Sequence, residues 1–171
     1  MVYKVVKYGH PVLEKKADPI TKFGTSELKQ LVDDMFETMY AHKGVGLAAP
    51  QVNLSQRLTV IDVSAGEDPA QKLVIINPEI VKLDGSQVGE EGCLSIPGFR
   101  EDVKRAMTAQ VRFQDAEGAA HELTGEELLA RALQHEIDHL NGVLFLSHLS
   151  VLKRDLIKRK IRRLQKAGEW D

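Results

Sequence analysis

The sequence carries a single cysteine, Cys93, so no disulfide can close within the chain and a disulfide-stapled scaffold is excluded. Long hydrophobic runs are also missing. No stretch reaches the roughly 18 uninterrupted apolar residues of a membrane span, and Met1 to Pro11 holds no apolar core of the signal-peptide kind. These absences point to a cytoplasmic protein without an anchor. Repeats, low-complexity segments and linkers are lacking too, so one domain over residues 1–171 is expected. The composition suits a packed core, with 43% hydrophobic and 28% charged residues.

Charge of one sign is scarce overall, the net being -2, yet its distribution is uneven. From Ser150 to Asp171 eight basic residues face three acidic ones, so this tail is +5 and the body -7. Such a body repels nucleic acid, whereas the tail attracts it.

Periodicity sets out the elements. Leu28, Leu31, Val32, Met35 and Met39 recur at helical spacing over Ser26 to Ala41, with Thr25 or Ser26 as cap. Arg57 to Val63 and Lys72 to Ile76 read as strands, and Ala109 to Phe113 turns through Asp115 to Gly118 into Ala119 to Leu123 as a hairpin. Thr124-Gly-Glu-Glu127 has the form of a capping box for a helix that Asn141-Gly142 stops. A last, basic helix spans residues 151–167. The expected fold is α+β: mostly antiparallel sheets around a central helix, with an N-terminal helix and a C-terminal amphipathic one.

The central helix contains His135-Glu136-Ile137-Asp138-His139, an H-E-x-x-H array. At about 100° per residue His139 lies about 40° round from His135, so both imidazoles reach one ion, while Ile137 points away towards core. Glu136 is the base that a hydrolytic water requires. A tetrahedral catalytic centre needs a third protein ligand. Downstream, the metzincin pattern fails at Phe145, His148 comes too late, and the segment beyond is basic. Upstream, Cys93 in Glu91-Gly92-Cys93-Leu94-Ser95 is the one soft ligand on offer. Asp138 is either an acceptor for an imidazole N–H or a solvated helix charge. His10, His42, His121 and His148 belong to no motif. The third feature, Gly44-Val45-Gly46-Leu47-Ala48-Ala49-Pro50-Gln51, allows a backbone to run close to a ligand and offers the Gln51 amide as a donor, although a plain turn would use the same residues. It lacks the strand and third glycine of a dinucleotide fingerprint.

In the order GVGLAAPQ, EGCLS, QHEIDH, these segments resemble the peptide deformylase family in its bacterial form. The likeness extends to LVDDMFETMY, RLTVIDV, Asn77-Pro-Glu79 and Gly142-Val-Leu-Phe145, and so to nearly the whole chain. It implies removal of the formyl group from formylmethionine at the N-terminus of nascent polypeptides, releasing formate. One ion per chain is then held by Cys93, His135 and His139. The donor set alone suggests Zn²⁺; the resemblance shifts this to Fe²⁺, with Zn²⁺, Ni²⁺ or Co²⁺ as substitutes. Glu136 becomes base and then acid, and the Gln51 amide and Leu94 backbone N–H meet the formyl oxygen. Val45, Leu128 and Ala132 line a methionine pocket, and Gly46 and Gly92 offer backbone contacts along the peptide. Arg100 is either near the substrate or an ordinary surface arginine, and Arg131 sits at the pocket rim. Two rival readings are a zinc endopeptidase and an RNA-binding factor with a structural metal. For the last helix, Leu152, Leu156, Ile157, Ile161 and Leu164 form the expected apolar stripe beside a basic surface for the ribosome.

Overall fold

The computed structural model describes residues 1–170 of the chain. Three α-helices and seven strands occur in the order α1 (Ser26–Ala41), β1 (Gly46–Ala48), β2 (Leu58–Ile61), β3 (Leu73–Asp84), β4 (Gln87–Cys93), β5 (Ile96–Arg105), β6 (Thr108–Gln114), β7 (Ala120–Glu126), α2 (Glu127–Leu140) and α3 (Val151–Lys166). Five strands form one sheet in the order β1-β2-β3-β6-β7, and β4 and β5 form a separate hairpin. Every pairing between named strands is antiparallel, as the sequence suggests. No described helix is long and apolar enough to cross a membrane.

All four residues of β2 are buried because both faces of the sheet are covered there. Leu58 and Val60 join a cluster with Val32, Met35 and Met39 of α1, while Ile61 joins Leu133 and Ile137 of α2. Alternate side chains of a strand point to opposite faces, so a strand between two helices loses its polar alternation. α2 thus runs through the middle of the molecule.

The Thr25 hydroxyl caps α1 by accepting from Leu28 N at 3.1 Å, as expected. The capping box of α2 does not form. Thr124 stays in β7, whose pairing with β6 continues to Glu126, and the helix begins at Glu127 in the left-handed region at φ 53°. The strands exceed expectation. β3 runs on past Ile76 through an irregularity at Asn77 (φ 50°), and the β4–β5 hairpin has no counterpart among the strands expected from periodicity. Asn77 replaces the lost ladder bonds: its Oδ1 accepts from Ile20 N, and its Nδ2 donates to Ile20 O and Gln114 Oε1.

The apolar stripe of α3 is narrower than expected. Ile157 and Ile161 are buried and Leu164 is half-buried, whereas Leu152 and Leu156 are exposed. At about 100° per residue the latter two fall roughly 220° and 260° round from Ile157, on the basic side.

α2 ends in a Schellman turn, with Gly142 N donating to His139 O and Val143 N to Asp138 O. Gly142 sits at φ 76°, and a Cβ there would lie 2.8 Å from the backbone carbon of Glu14. Gly142→Ala should therefore cost about 2–5 kcal/mol, the sum of a left-handed alanine and an overpacked contact. Urea unfolding measures this; a loss below about 0.5 kcal/mol, the scale of an ordinary surface change, would show that the contact yields freely.

Candidate metal centre and active-site cleft

The hairpin and α2 bring three ligand atoms together. Cys93 closes β4 at a tight turn, where it pairs with Ile96 across Leu94 and Ser95. One helical turn apart on α2, the rings of His135 and His139 have centroids 4.9 Å apart. Cys93 Sγ lies 3.3 Å from His139 Nε2, which lies 3.2 Å from His135 Nε2. All three ligand atoms are within 4.8 Å of one another. Donors at tetrahedral angles, about 2.05 Å (nitrogen) and 2.3 Å (sulfur) from one ion, would stand roughly 3.3–3.6 Å apart. The side chains present therefore fit one divalent cation.

His135 is oriented by Glu91, not by Asp138. Its Nδ1 lies 2.8 Å from Glu91 Oε1, and since a carboxylate only accepts, Nδ1 carries the proton and Nε2 keeps its lone pair for an ion. Glu91 is buried and takes three further bonds: from Arg105 Nε and Nη2, both at 2.9 Å, and from Arg131 Nη1 at 2.5 Å. Burial works to raise the Glu91 pKa, but the bonds from Arg105 and His135 outweigh it and hold the carboxyl well below the usual range. Asp138 instead bonds Arg105 Nη1 at 2.6 Å and His148 Nε2 at 2.8 Å. Arg131 is not at a rim: it is 6% exposed and also donates to Val103 O. The motifs alone gave no sign of Glu91, Arg105 and Arg131 in these roles.

Beside the histidines, Glu136 is buried and its Oε1 has no protein partner among the described residues. Burial pushes its carboxyl up to about 7, with Glu91 and Asp138 adding to the rise and the His135 and Arg105 charges opposing it. Gly46 permits this placement, because a Cβ there would stand 2.5 Å from Glu136 Oε2. Gln51 is held from behind: its Oε1 accepts from Ala48 N at 3.0 Å, and its Nε2 donates to Ser95 Oγ at 3.2 Å and towards Cys93 Sγ at 3.5 Å.

These groups open on a cleft of about 770 Å³. Every residue that the family resemblance assigns to the site lines it except His139, which is 1% exposed. Val45, Ala132 and the half-exposed Leu128 supply apolar wall. Arg100 lies at the open side, paired with Glu90 at 2.5 Å, and it presses on Gly92: a Cβ there would meet Arg100 Nη1 at 2.7 Å. A soft N₂S ligand set, an unpartnered carboxylate with a raised pKa and an amide donor around one cleft are the parts of a metal-assisted hydrolase.

Comparison with known proteins agrees. The model of the family described as polypeptide deformylase matches residues 2–155. A peptide deformylase of Acidobacterium capsulatum is 58% identical over 170 residues, covering 99% of both chains. Crystal structures of peptide deformylases superpose closely: that from Legionella pneumophila at TM-score 0.89 and 46% identity, covering 97% of this chain and 98% of its own, and that from Thermus thermophilus at 0.87 and 45%, covering 97% and 99%.

Removing Glu91 would leave Arg131 buried without a counter-charge and Arg105 with that of Asp138 alone. Glu91→Ala should then lose about 3–5 kcal/mol of stability. Chemical denaturation at neutral pH checks it, and a variant as stable as the parent would mean that water or rearrangement compensates both guanidinium groups.

Proposed function

The chain belongs to the polypeptide deformylase family, hydrolases that remove the N-terminal formyl group from nascent peptides, and on that premise we propose how its own residues divide the work. Cys93, His135 and His139 hold the metal on which the family depends, an Fe²⁺ ion for which Zn²⁺, Ni²⁺ or Co²⁺ substitutes; thiolate and imidazole donors disfavour Mg²⁺ and Ca²⁺. When bound, such an ion supplies a Lewis acid and acidifies water towards neutral pH.

The remaining chemistry belongs to side chains and backbone. Glu136 takes a proton from the attacking water at its unpartnered Oε1 and returns one to the leaving amine. A carboxyl near pKa 7 is suited to both transfers. The Gln51 amide, aimed past Ser95 at Cys93, and the Leu94 backbone N–H donate to the formyl oxygen as it gains charge. Val45, Leu128 and Ala132 receive the methionine side chain. Gly46 and Gly92, which line the cleft, offer backbone contacts along an extended peptide, and Arg100, packed against Gly92, stands where that peptide leaves the cleft. The observation that carries this reading is the convergence of Cys93 Sγ and the two imidazole Nε2 atoms beside a buried carboxylate oxygen that has no partner among the described residues.

Residues 1–171 act as one cytoplasmic catalytic domain whose basic helix docks on the ribosome. Support comes from the outward placement of Arg159, Arg162, Arg163 and Lys166, all exposed, opposite the buried Ile157 and Ile161.

Glu136→Ala should keep the metal and lose nearly all turnover of formyl-Met-Ala, whereas Cys93→Ala, His135→Ala and His139→Ala should each lose metal and activity together. Metal analysis and formate release on the same preparations check both halves. Turnover of Glu136→Ala near the parental rate would refute its role as proton carrier.

For docking, the triple variant Arg159→Glu, Arg162→Glu, Arg163→Glu should keep its turnover of formyl-Met-Ala yet fail to co-sediment with ribosomes at low salt. Binding of the parent should fall steeply as salt is raised, since phosphate contacts release counterions. Co-sedimentation of the variant at the parental level would leave α3 a solubilising cap only.

A further inference from the structure

The chain leaves α3 by a second Schellman turn: Gly168 adopts φ 70°, Gly168 N donates to Gln165 O and Glu169 N to Leu164 O. This reversal drives Trp170, the sole tryptophan, back into the body, where it is 4% exposed. It packs in the cluster that contains Leu13, Ile96 and Phe145, and its ring meets Phe99, a cleft-lining residue, with centroids 6.2 Å apart. Packing alone would not require an indole. Its N–H, however, donates to Tyr8 O at 2.8 Å. From Tyr8 the bonding continues into the site: Tyr8 N donates to Ser95 O at 2.8 Å, Ser95 Oγ accepts from Gln51 Nε2, and Val6 N donates to Gln51 O at 2.8 Å. The N-terminal segment is thus pinned on one side by Trp170 and on the other holds both Gln51 and the residue after Leu94.

We propose that Trp170 is a positioning residue for deformylation, seating the Tyr8–Ser95–Gln51 hydrogen-bond chain that aims the Gln51 amide into the cleft. The proposal rests on the reading of Gln51 as a donor to the formyl oxygen. Its physical basis is that a donor helps a transition state only when it is already held where charge develops, so a support several bonds away acts on rate more than on substrate binding. Phe99, held by the same ring, gives Trp170 a second hold on that wall of the cleft.

The test uses the full-length, metal-loaded enzyme and formyl-Met-Ala. Trp170→Phe retains an aromatic ring and deletes the N–H; kcat should fall about five- to tenfold, the rate equivalent of one hydrogen bond, with KM and metal content little changed. A lowered thermal midpoint with parental kcat would overturn the proposal, since a residue that only packs would give that result. Ser95→Ala provides a second route that leaves Trp170 in place: it should produce a comparable kcat loss without shifting the tryptophan emission, and a parental kcat would again overturn the proposal. Combining Trp170→Phe with Gln51→Ala separates the two readings. The losses should not add, because both act through one amide; additive losses count against the brace. If Gln51→Ala alone keeps the parental kcat, the donor role of Gln51 fails and the brace through it falls as well. If Gln51→Ala is slow and Trp170→Phe is not, only the brace fails.

Discussion

The buried Glu91 carboxylate is the joint on which the site's geometry depends. Its two oxygens accept four bonds from β5 and α2, namely two from Arg105, one from Arg131 and one from His135. The β4–β5 hairpin shares no ladder with the five-stranded sheet, so backbone hydrogen bonding cannot set its distance from α2. Yet Cys93 is on the hairpin and both histidines are on the helix. The apolar cluster that holds Ile96, Val103 and Phe145 packs without fixing a direction, whereas a fully bonded carboxylate fixes angle and register. Burying an ion pair gains little net stability. Here the effect is geometric: the Cys93 sulfur and two imidazoles are held within 4.8 Å of one another.

Two carboxylates close to the ligands are driven in opposite directions by the same fold. Glu91, with a donor on every side, is held ionised, and Glu136, with Oε1 unpartnered, is raised to about 7 by burial. The first stays a fixed charge, while burial disfavours ionisation of the second. Placing Glu136 this way requires empty space beside it, and Gly46 provides that space because no side chain can stand 2.5 Å from its oxygen. The glycine of the first motif and the glutamate of the third are therefore one device, although a long stretch of chain separates them in the sequence.

Legibility in the sequence tracked the strength of local rules. H-E-x-x-H at helical spacing, the cap at Thr25 and the alternation through Ala109, Val111 and Phe113 each have a short-range cause, and they reappear as α2, α1 and β6. The hairpin was hidden because β4 reads Gln-Val-Gly-Glu-Glu-Gly-Cys, poor in β-formers, and its one fully buried residue is the charged Glu91. No periodicity rule places a glutamate in a core. For the same reason the sequence places Arg131 at a rim and leaves Asp138 open between an imidazole acceptor and a solvated charge: the partners Glu91 and Arg105 lie 40 and 33 residues away in sequence, and the imidazole that Asp138 meets is that of His148. The apolar stripe of α3 failed on angle, since counting leucines at roughly helical intervals ignored that Leu152 and Leu156 turn away from Ile157.

α3 carries two independent properties on opposite faces. Leu164, Ile157 and Ile161 span about 60° of arc, and Arg162, Lys166, Arg159 and Arg163 centre about 180° away. Helical geometry therefore fixes the basic face outward as soon as the apolar arc is buried, and no ion pair with the acidic body is needed to orient it. The short segment after α3 is different in kind. Trp170 returns to the core and is linked through Tyr8 to Ser95, the acceptor of the Gln51 amide, whereas the exposed basic side chains of α3 do not line the cleft. The charges on the outer face of the helix and the residue at its end are for that reason separable by substitution, whereas deletion of the whole segment would merge the two effects by opening the Ile96–Phe145 cluster as well.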